Sequence, residues 1–374
     1  MAFSTENPHD WSIRISVDEL TGAIGDSVTV LPIVVAVTAL TPLSLPRVLL
    51  GFALFQAVWG LHYRLPLSVE PMKALAALVI AGSLTVDELA AAGLLAGVAL
   101  LVVGRTDGLA RVQRFVSRPV VRGVQLAVAL VLLRTAFDLS FGAPALAVAA
   151  VVVACATALV VSGNASTLVV LGLGVVLAFS RAGPTALSFA VPSLAPTLPP
   201  ASALTGATAD GVVGQLAMTV GNAAVATSLL LSEYFDAEVS PDDLATSMGV
   251  MNLVAVPLGA LPMCHGSGGV AGKYAFGART AGANLLLAAG YALVAVFAVG
   301  IFPSFPMAVL GVLLALVAVE LGRSALRTER LWLTVAVGLC GLVTNVGVAF
   351  VAGAALSLFL RRLRPIDGVS VAGS

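Results

Sequence analysis

Long apolar stretches alternate with short polar or Pro/Gly-containing breaks along nearly the whole chain. No charged residue lies between Asp138 and Arg181, a stretch about twice the roughly 20 residues that one helix needs to cross a bilayer. The segment SGNAS (162–166) divides this stretch into two helices. The pattern predicts about fourteen membrane elements: 22–41, 46–62, 66–82, 87–104, 119–138, 143–161, 165–181, 211–232, 243–259, 262–279, 281–301, 304–322, 329–345 and 346–362.

The composition places these elements in a lipid bilayer. The mean hydropathy is +1.06, and only 10% of the 374 residues are charged, against about 25% in a soluble domain. A water-soluble fold could not cover its surface with so few charges, which excludes a cytosolic enzyme, a nucleic-acid-binding protein and a disordered chain. We therefore predict an all-α polytopic membrane protein with no nucleic-acid partner.

Polar landmarks recur 196 residues apart in the two halves of the chain. Gly25-Asp26 and Gly221-Asn222 each interrupt the first apolar element of a half. Leu65-Pro66 and Leu261-Pro262 each precede the third element. Seven elements in each half force the second copy to enter the membrane from the opposite side, which predicts a seven-plus-seven inverted repeat as in secondary transporters.

This repeat defines the expected domain organisation. We predict a first repeat at 21–181 and a second at 211–364, joined by a Pro-rich, nearly uncharged linker at 182–210. The segment 1–20 is too acidic for a secretory signal and is expected to be cytoplasmic, as is the tail at 365–374.

The basic residues predict the orientation of the chain. With the N-terminus in the cytoplasm, 15 of the 19 basic residues face the cytoplasm, among them Lys273, Arg279 and those of the loop at 105–122. An even number of elements places the C-terminus on the same side. We expect a multi-pass protein of the cell membrane with both termini cytoplasmic.

The third element of each half is predicted to be broken. Pro71 lacks a backbone N–H, so residues 66–70 are expected to be extended and a half-helix to begin near Met72. Glycines make 263–268 a poor helix interior, and a second half-helix is expected to begin near Gly268. Irregular backbone at membrane depth is tolerated only inside protein or at a cavity. Both N-termini should therefore face a shared midplane site, and their free N–H groups and partial positive charge favour an anion.

Few ionisable residues lie within the predicted elements: Asp26, Glu70, Lys73, His265 and Glu320. Because a charge at the bilayer centre costs about 2.5–3.5 kcal/mol, we predict that Lys73 and His265 lie at the site. Asp26 either lies there too or caps backbone N–H groups at the helix break. Glu320 is interpreted as the partner of Arg323 in a solvated ion pair.

Three stretches resemble the signature regions of the molybdate transporter family: LPLSVEPMKALAA (65–77), MNLVAVPLGALPMCHGSGGVAGKYAFGART (251–280) and ELTGAIGDSVTVLP (19–32). That family is related to the sulfate permeases. The resemblance implies a uracil-permease-like core and gate with two broken half-helices. Ser27-Val28 replaces the usual Leu-Gly, and Glu70 stands where the family often has Gln. We expect no C-terminal regulatory domain like that of the sulfate permeases after the last element, and this expectation fits the molybdate branch.

The resemblance implies a secondary active transporter that imports molybdate, with tungstate as a second candidate, by alternating access. We expect an oxyanion substrate, a coupling cation that is a proton, no cofactor and no metal ion. Substrate-binding residues are predicted to be Asp26, Thr29, Glu70, Met72, Lys73, Gln215, Thr219, Asn222, Cys264, His265, Gly266, Ser267, Gly268 and Gly269.

Several alternatives remain open from the sequence. The substrate could be sulfate or another anion, or a nucleobase whose edge Glu70 would contact. An anion channel is a further alternative, and a homodimer is one possible assembly. An enzyme is disfavoured because adjacent residues such as Cys264 and His265 point in different directions and no third group orients them.

Overall fold

The computed structural model describes residues 13–113 and 116–362. The predicted tail at 365–374, residues 1–12 of the predicted N-terminal segment, and the basic residues Arg114 and Arg364 lie outside the described residues.

Most of the described chain is helical, and every predicted membrane element has a counterpart. Among the described residues, seven helices are long and apolar enough to cross a membrane, and four shorter apolar helices accompany them. A π-helical segment, Thr219–Ala224, joins α9 to α10. The α-helices and strands are α1 (Val17–Leu40), α2 (Leu45–Tyr63), β1 (Val69–Pro71), α3 (Lys73–Ile80), α4 (Val86–Arg105), α5 (Leu109–Gln113), α6 (Arg118–Phe141), α7 (Pro144–Val160), α8 (Gly163–Ala182), α9 (Gly206–Met218), α10 (Val225–Phe235), α11 (Pro241–Ala255), β2 (Met263–His265), α12 (Ser267–Ala275), α13 (Gly282–Phe297), α14 (Met307–Leu326), α15 (Leu331–Val343) and α16 (Val346–Arg362).

Local capping explains where several helices begin. The Ser16 hydroxyl accepts a hydrogen bond from the backbone N–H of Glu19 at the start of α1. Thr85 and Glu88 form a capping box at the start of α4, in which each side chain satisfies a backbone N–H of the other residue. These contacts satisfy N–H groups that have no partner within the helix.

Two short strands form the centre of the molecule. β1 and β2 pair antiparallel, with Val69 opposite His265 and Pro71 opposite Met263. Each strand leads directly into a half-helix, α3 or α12, so the half-helices run in opposite directions from adjacent N-termini. An inverted repeat requires equivalent segments that run in opposite directions, as α3 and α12 do. The predicted seven-plus-seven inverted-repeat fold is therefore confirmed. The breaks were expected, but the pairing of the two strands was not.

The helices pack in two groups. The core group contains α1–α4 and α9–α13. In the two repeats α2 corresponds to α11 and α4 corresponds to α13, and each packs against the other's counterpart, α2 against α13 and α4 against α11. The gate group contains α6–α8 and α14–α16, with α6 packed against α14 and α15. This crosswise packing of equivalent helices matches the core and gate expected for the fold.

A buried amide attaches β2 to the core group. Asn252 on α11 accepts a hydrogen bond from Met263 N at 2.8 Å and donates to Met263 O at 2.7 Å. Pro71, which lies opposite Met263, has no N–H to offer instead. Asn252 therefore holds the strand that positions the N-terminus of α12.

We expect Asn252→Leu to lower the thermal unfolding midpoint of the detergent-purified protein. The substitution leaves the buried N–H and C=O of Met263 without partners, at a cost of about 1–3 kcal/mol for each group. Ser180→Ala is the control, because that exposed hydroxyl bonds only to the carbonyl of Leu177. An unfolding midpoint of Asn252→Leu equal to that of the control would contradict this role.

Candidate functional site

A carboxylate from the first repeat occupies the N-terminus of the half-helix in the second repeat. Glu70 on β1 accepts, through Oε1, a hydrogen bond of 2.8 Å from the N–H of Gly269 in the first turn of α12. Thr29 on α1 donates to the same oxygen at 3.3 Å. The positive end of the helix dipole favours a carboxylate there. Glycine permits the approach, since a Cβ on Gly266 would overlap the Glu70 carboxylate.

A neutral amide from the second repeat caps the half-helix of the first. Gln215 Oε1 accepts hydrogen bonds from Ala74 N at 3.0 Å and Leu75 N at 3.4 Å in the first turn of α3. Its Nε2 donates to Thr219 Oγ1 at 3.0 Å, which fixes the orientation of the amide. Gln215 and Thr219 are buried, so the structure assigns both to the support of α3.

A buried ion pair lies beside α12. Lys273 Nζ is 3.3 Å from Asp26 Oδ2, and both side chains are fully buried. Lys273 also donates to Gln56 Oε1 at 3.1 Å and Asn284 Oδ1 at 2.8 Å. Asp26 accepts from Ser68 Oγ at 2.5 Å and Gln56 Nε2 at 3.0 Å. These added hydrogen bonds are the condition under which a buried ion pair is tolerated.

This cluster corrects one sequence-based interpretation. Lys273 was counted among the cytoplasmic basic residues, yet it is buried on α12 and does not report the orientation. Its place inside the predicted element 262–279 was the signal that sequence reasoning missed. The Asp26 carboxylate is held by side chains, not by backbone N–H groups.

Lys73 and the first turn of α12 face open space. Lys73 Nζ lies 2.6 Å from Glu70 Oε2, while its side chain remains 16% exposed. Gly268 is exposed, with no atom within 4 Å of the place that a Cβ would take. Ser267 donates to Asn222 Oδ1 at 3.1 Å. Among the described residues, the N–H groups of Ser267 and Gly268 have no acceptor. The Ser267 hydroxyl proton is already given to Asn222, so the donors left for a ligand are the Lys73 ammonium and the two backbone N–H groups, which are suited to an oxyanion.

Three other predicted residues are buried next to this face. His265 Nε2 is 2.7 Å from Ser247 Oγ, and its Nδ1 is 3.0 Å from Ser68 O, so both ring nitrogens have protein partners. Cys264 lies on β2 and Met72 immediately precedes α3, and both are buried. The structure brings them close to the site without exposing them in it.

Glu320 is not paired with Arg323 as the sequence suggested. Within the described part of the chain, no basic nitrogen lies within 4.0 Å of its carboxylate. Its side chain is exposed and lines a surface cavity together with Arg323. Because α14 belongs to the gate group, Glu320 places a negative charge on the gate, on which the Lys73 charge acts without direct contact.

A cavity of about 480 Å³ lies between the core and gate groups and reaches Asn222. Its lining comes from α6 and the α14–α15 connection on one wall and from the π-helical segment and α10 on the other. The inverted repeat, the opposed half-helices and this cavity define a multi-pass membrane transporter.

The chain belongs to the molybdate transporter family. The family model described as "Molybdate transporter of MFS superfamily" matches residues 18–132 and 207–321, once in each repeat and over more than half of the chain. Molybdate transporter 2 of Arabidopsis thaliana is 30% identical over 94% of this chain and 89% of its own length. Molybdate transporter 1 of the same plant is 30% identical over 93% and 89%. Because these relatives are named transporters, the enzyme alternative is excluded.

Solved structures of anion transporters share the fold. The transmembrane domain of the cyanobacterial bicarbonate transporter BicA has a TM-score of 0.65 at 16% identity, covering 91% of this chain and 97% of that one. SLC26A9 has a TM-score of 0.69 at 14% identity, covering 92% and 65%. The family description names the MFS superfamily, whose halves contain six helices each, whereas this chain has half-helices within repeats of seven elements.

We expect Gly269→Ala and Gly268→Ala to differ in stability. A Cβ on Gly269 would overlap the Ser68 hydroxyl and the carboxylates of Asp26 and Glu70, whereas one on Gly268 enters open space. Gly269→Ala should lower the thermal unfolding midpoint, and Gly268→Ala should leave it unchanged. Thermal unfolding of both purified variants tests this, and equal midpoints would refute the described packing around α12.

Proposed function

We propose that this chain imports molybdate, and tungstate as a second substrate, across the cell membrane by alternating access. Both termini then lie in the cytoplasm. The observation that carries the proposal is that Glu70 joins the partly exposed Lys73 ammonium to the first turn of α12, where Gly268 is exposed. The family membership and the names of the Arabidopsis relatives support molybdate as the oxyanion.

In this proposal the substrate oxygens accept hydrogen bonds from the N–H groups of Ser267 and Gly268, while Lys73 offsets part of the charge. Asn222 orients the Ser267 hydroxyl. Glu70 competes with the substrate for the Lys73 ammonium, because it already lies 2.6 Å from that group. Binding of the anion is therefore linked to the charge of Glu70.

Contacts on the two sides of the site support an inward-facing arrangement. The cavity that reaches Asn222 opens on the side of the α4–α6 and α14–α15 connections, which we assign to the cytoplasm. On the opposite side, Asp210 of α9 accepts hydrogen bonds from Gly347 N at 2.5 Å and Val348 N at 3.3 Å in α16. A cavity of about 460 Å³ lies beside this contact. The hydrogen bonds that join core to gate at Asp210, and not the cavity volumes, therefore support the inward-facing arrangement.

Import of a dianion needs a coupled cation. Moving two negative charges inward against 100 mV costs about 4.6 kcal/mol, since each charge contributes about 2.3 kcal/mol. We infer that protons supply this energy and that Glu70 carries one of them. A protonated Glu70 would release Lys73 to the substrate and could still accept from Gly269 N.

We expect Lys73→Met to reduce molybdate uptake by about 10- to 100-fold at normal membrane abundance, because a hydrogen bond to a charged group contributes about 1.5–3 kcal/mol. Labelled molybdate uptake by cells producing each variant measures the effect. Arg181→Met is the matched control, a basic residue on an exposed surface. If well-expressed Lys73→Met takes up molybdate at the wild-type rate, Lys73 does not bind the substrate.

We expect Glu70→Gln to abolish molybdate accumulation driven by a pH gradient while downhill exchange continues. The amide keeps an oxygen that can accept from Gly269 N but cannot release a proton. Uptake into proteoliposomes with an imposed pH or sodium gradient, in wild type and variant, measures this. Molybdate accumulation driven by the sodium gradient and not by the pH gradient would refute proton coupling. Full accumulation by Glu70→Gln in a pH gradient would refute only the role of Glu70 as the proton carrier.

A further inference from the structure

The cavity between core and gate carries positive charge that the candidate substrate site does not use. We call it the basic cavity, lined by Arg118, Arg122, Gln125, Asn222, Arg327 and Glu329 among others. Its volume of about 480 Å³ is ample for a small oxyanion and its water. Arg118 and Arg122 lie on α6 and Arg327 lies in the α14–α15 connection, so all three belong to the gate, whereas Asn222 lies between the core helices α9 and α10.

The three arginines line the same cavity, with Arg122 between the influence of the other two. Arg118 and Arg327 act on Arg122 as like charges. Arg122 is held in place by neutral acceptors, Gln125 Oε1 at 2.9 Å and Ser324 Oγ at 2.7 Å. In the described part of the chain, no carboxylate oxygen lies within 4.0 Å of any of the three groups. Glu329 is the one carboxylate among the described lining residues, beside three arginines, so the cavity keeps an excess of positive charge.

We infer that the basic cavity is a second anion-binding site, with a tetrahedral dianion such as molybdate as its ligand. Guanidinium groups match oxyanions through paired N–H donors, and Arg122 is already oriented by its two acceptors. The inference rests on the proposed function for the identity of the anion. The two sites are adjacent, since Asn222 lines the basic cavity and accepts from Ser267 at the first site.

Occupancy of the basic cavity has a consequence for transport. Closing this side requires the gate arginines to approach the core wall at Gly221 and Asn222. An anion bound between the two walls stabilises the open arrangement by mass action. Molybdate on the cytoplasmic side therefore slows further import, as feedback from the transported product.

Equilibrium binding of labelled molybdate to the detergent-purified protein tests the site directly. We expect about two equivalents of bound molybdate for each wild-type chain and about one for the double variant Arg122→Gln/Arg327→Gln. The variant lacks two of the guanidinium groups of the basic cavity, so only the first site should still bind the anion. Arg118→Gln is a second variant that removes charge without breaking a hydrogen bond of the structure. Lys73→Met should keep the equivalent in the basic cavity, and Arg181→Gln is the control for loss of a surface charge.

The same variants in proteoliposomes test the feedback. Molybdate loaded inside should slow initial uptake several-fold in the wild type and leave uptake by the double variant unchanged. The inference would be overturned if the wild type imports molybdate but binds only one equivalent and the double variant still binds that equivalent. The proposed function would then remain. Wild type that imports no molybdate would instead overturn the proposed function.

The ligand could also be the phosphate of a lipid headgroup, and the binding experiment separates the two sources. It is repeated in micelles of a detergent that contains no phosphate, with and without added phosphatidylserine. We expect the second equivalent to persist in both. Its loss on addition of phosphatidylserine would overturn the assignment to a free oxyanion.

Discussion

Two helix N-termini that meet inside a membrane must find acceptors for their backbone N–H groups. Water is not available there to supply them, and each unsatisfied group is costly. The chain meets this constraint because each repeat supplies a side-chain acceptor for the half-helix N-terminus of the other repeat. Glu70 of the first repeat accepts from Gly269 in α12, and Gln215 of the second accepts from Ala74 and Leu75 in α3. The paired strands β1 and β2 hold the two N-termini at the distance that this exchange needs.

The exchange is asymmetric in charge, and the asymmetry provides the site. Gln215 satisfies α3 with a neutral oxygen, whereas Glu70 brings a carboxylate to α12 and requires Lys73 to balance it. Asp26 and Lys273 form a second balanced pair in the buried part of the core. What stays free is the exposed turn at Ser267 and Gly268 with Lys73 beside it. In the function that we propose, the anion binds there by competing with Glu70, and this competition links binding to the protonation of one side chain.

The sequence predicted the elements and the helix breaks because their causes are local. Pro71 and the glycines after His265 act on their own backbone, so the half-helices were expected near Met72 and Gly268 and begin at Lys73 and Ser267. Partnerships across the repeats could not be predicted, since Glu70 and Gly269 are 199 residues apart. Lys273 and Glu320 were misassigned for the same reason. Their neighbours in sequence resemble the ends of membrane helices. Only the packed structure shows the first beside Asp26 and the second without a basic nitrogen within 4.0 Å among the described residues.

Anomalous diffraction at the molybdenum absorption edge, from crystals grown with molybdate, tests most directly whether the anion binds between the half-helix N-termini. The account predicts a molybdenum peak in contact with Lys73 and with the first turn of α12 at Ser267 and Gly268. A weaker peak in the basic cavity is compatible with it. Molybdenum density in the basic cavity alone, or at the N-terminus of α3 in place of Gln215, would contradict the account.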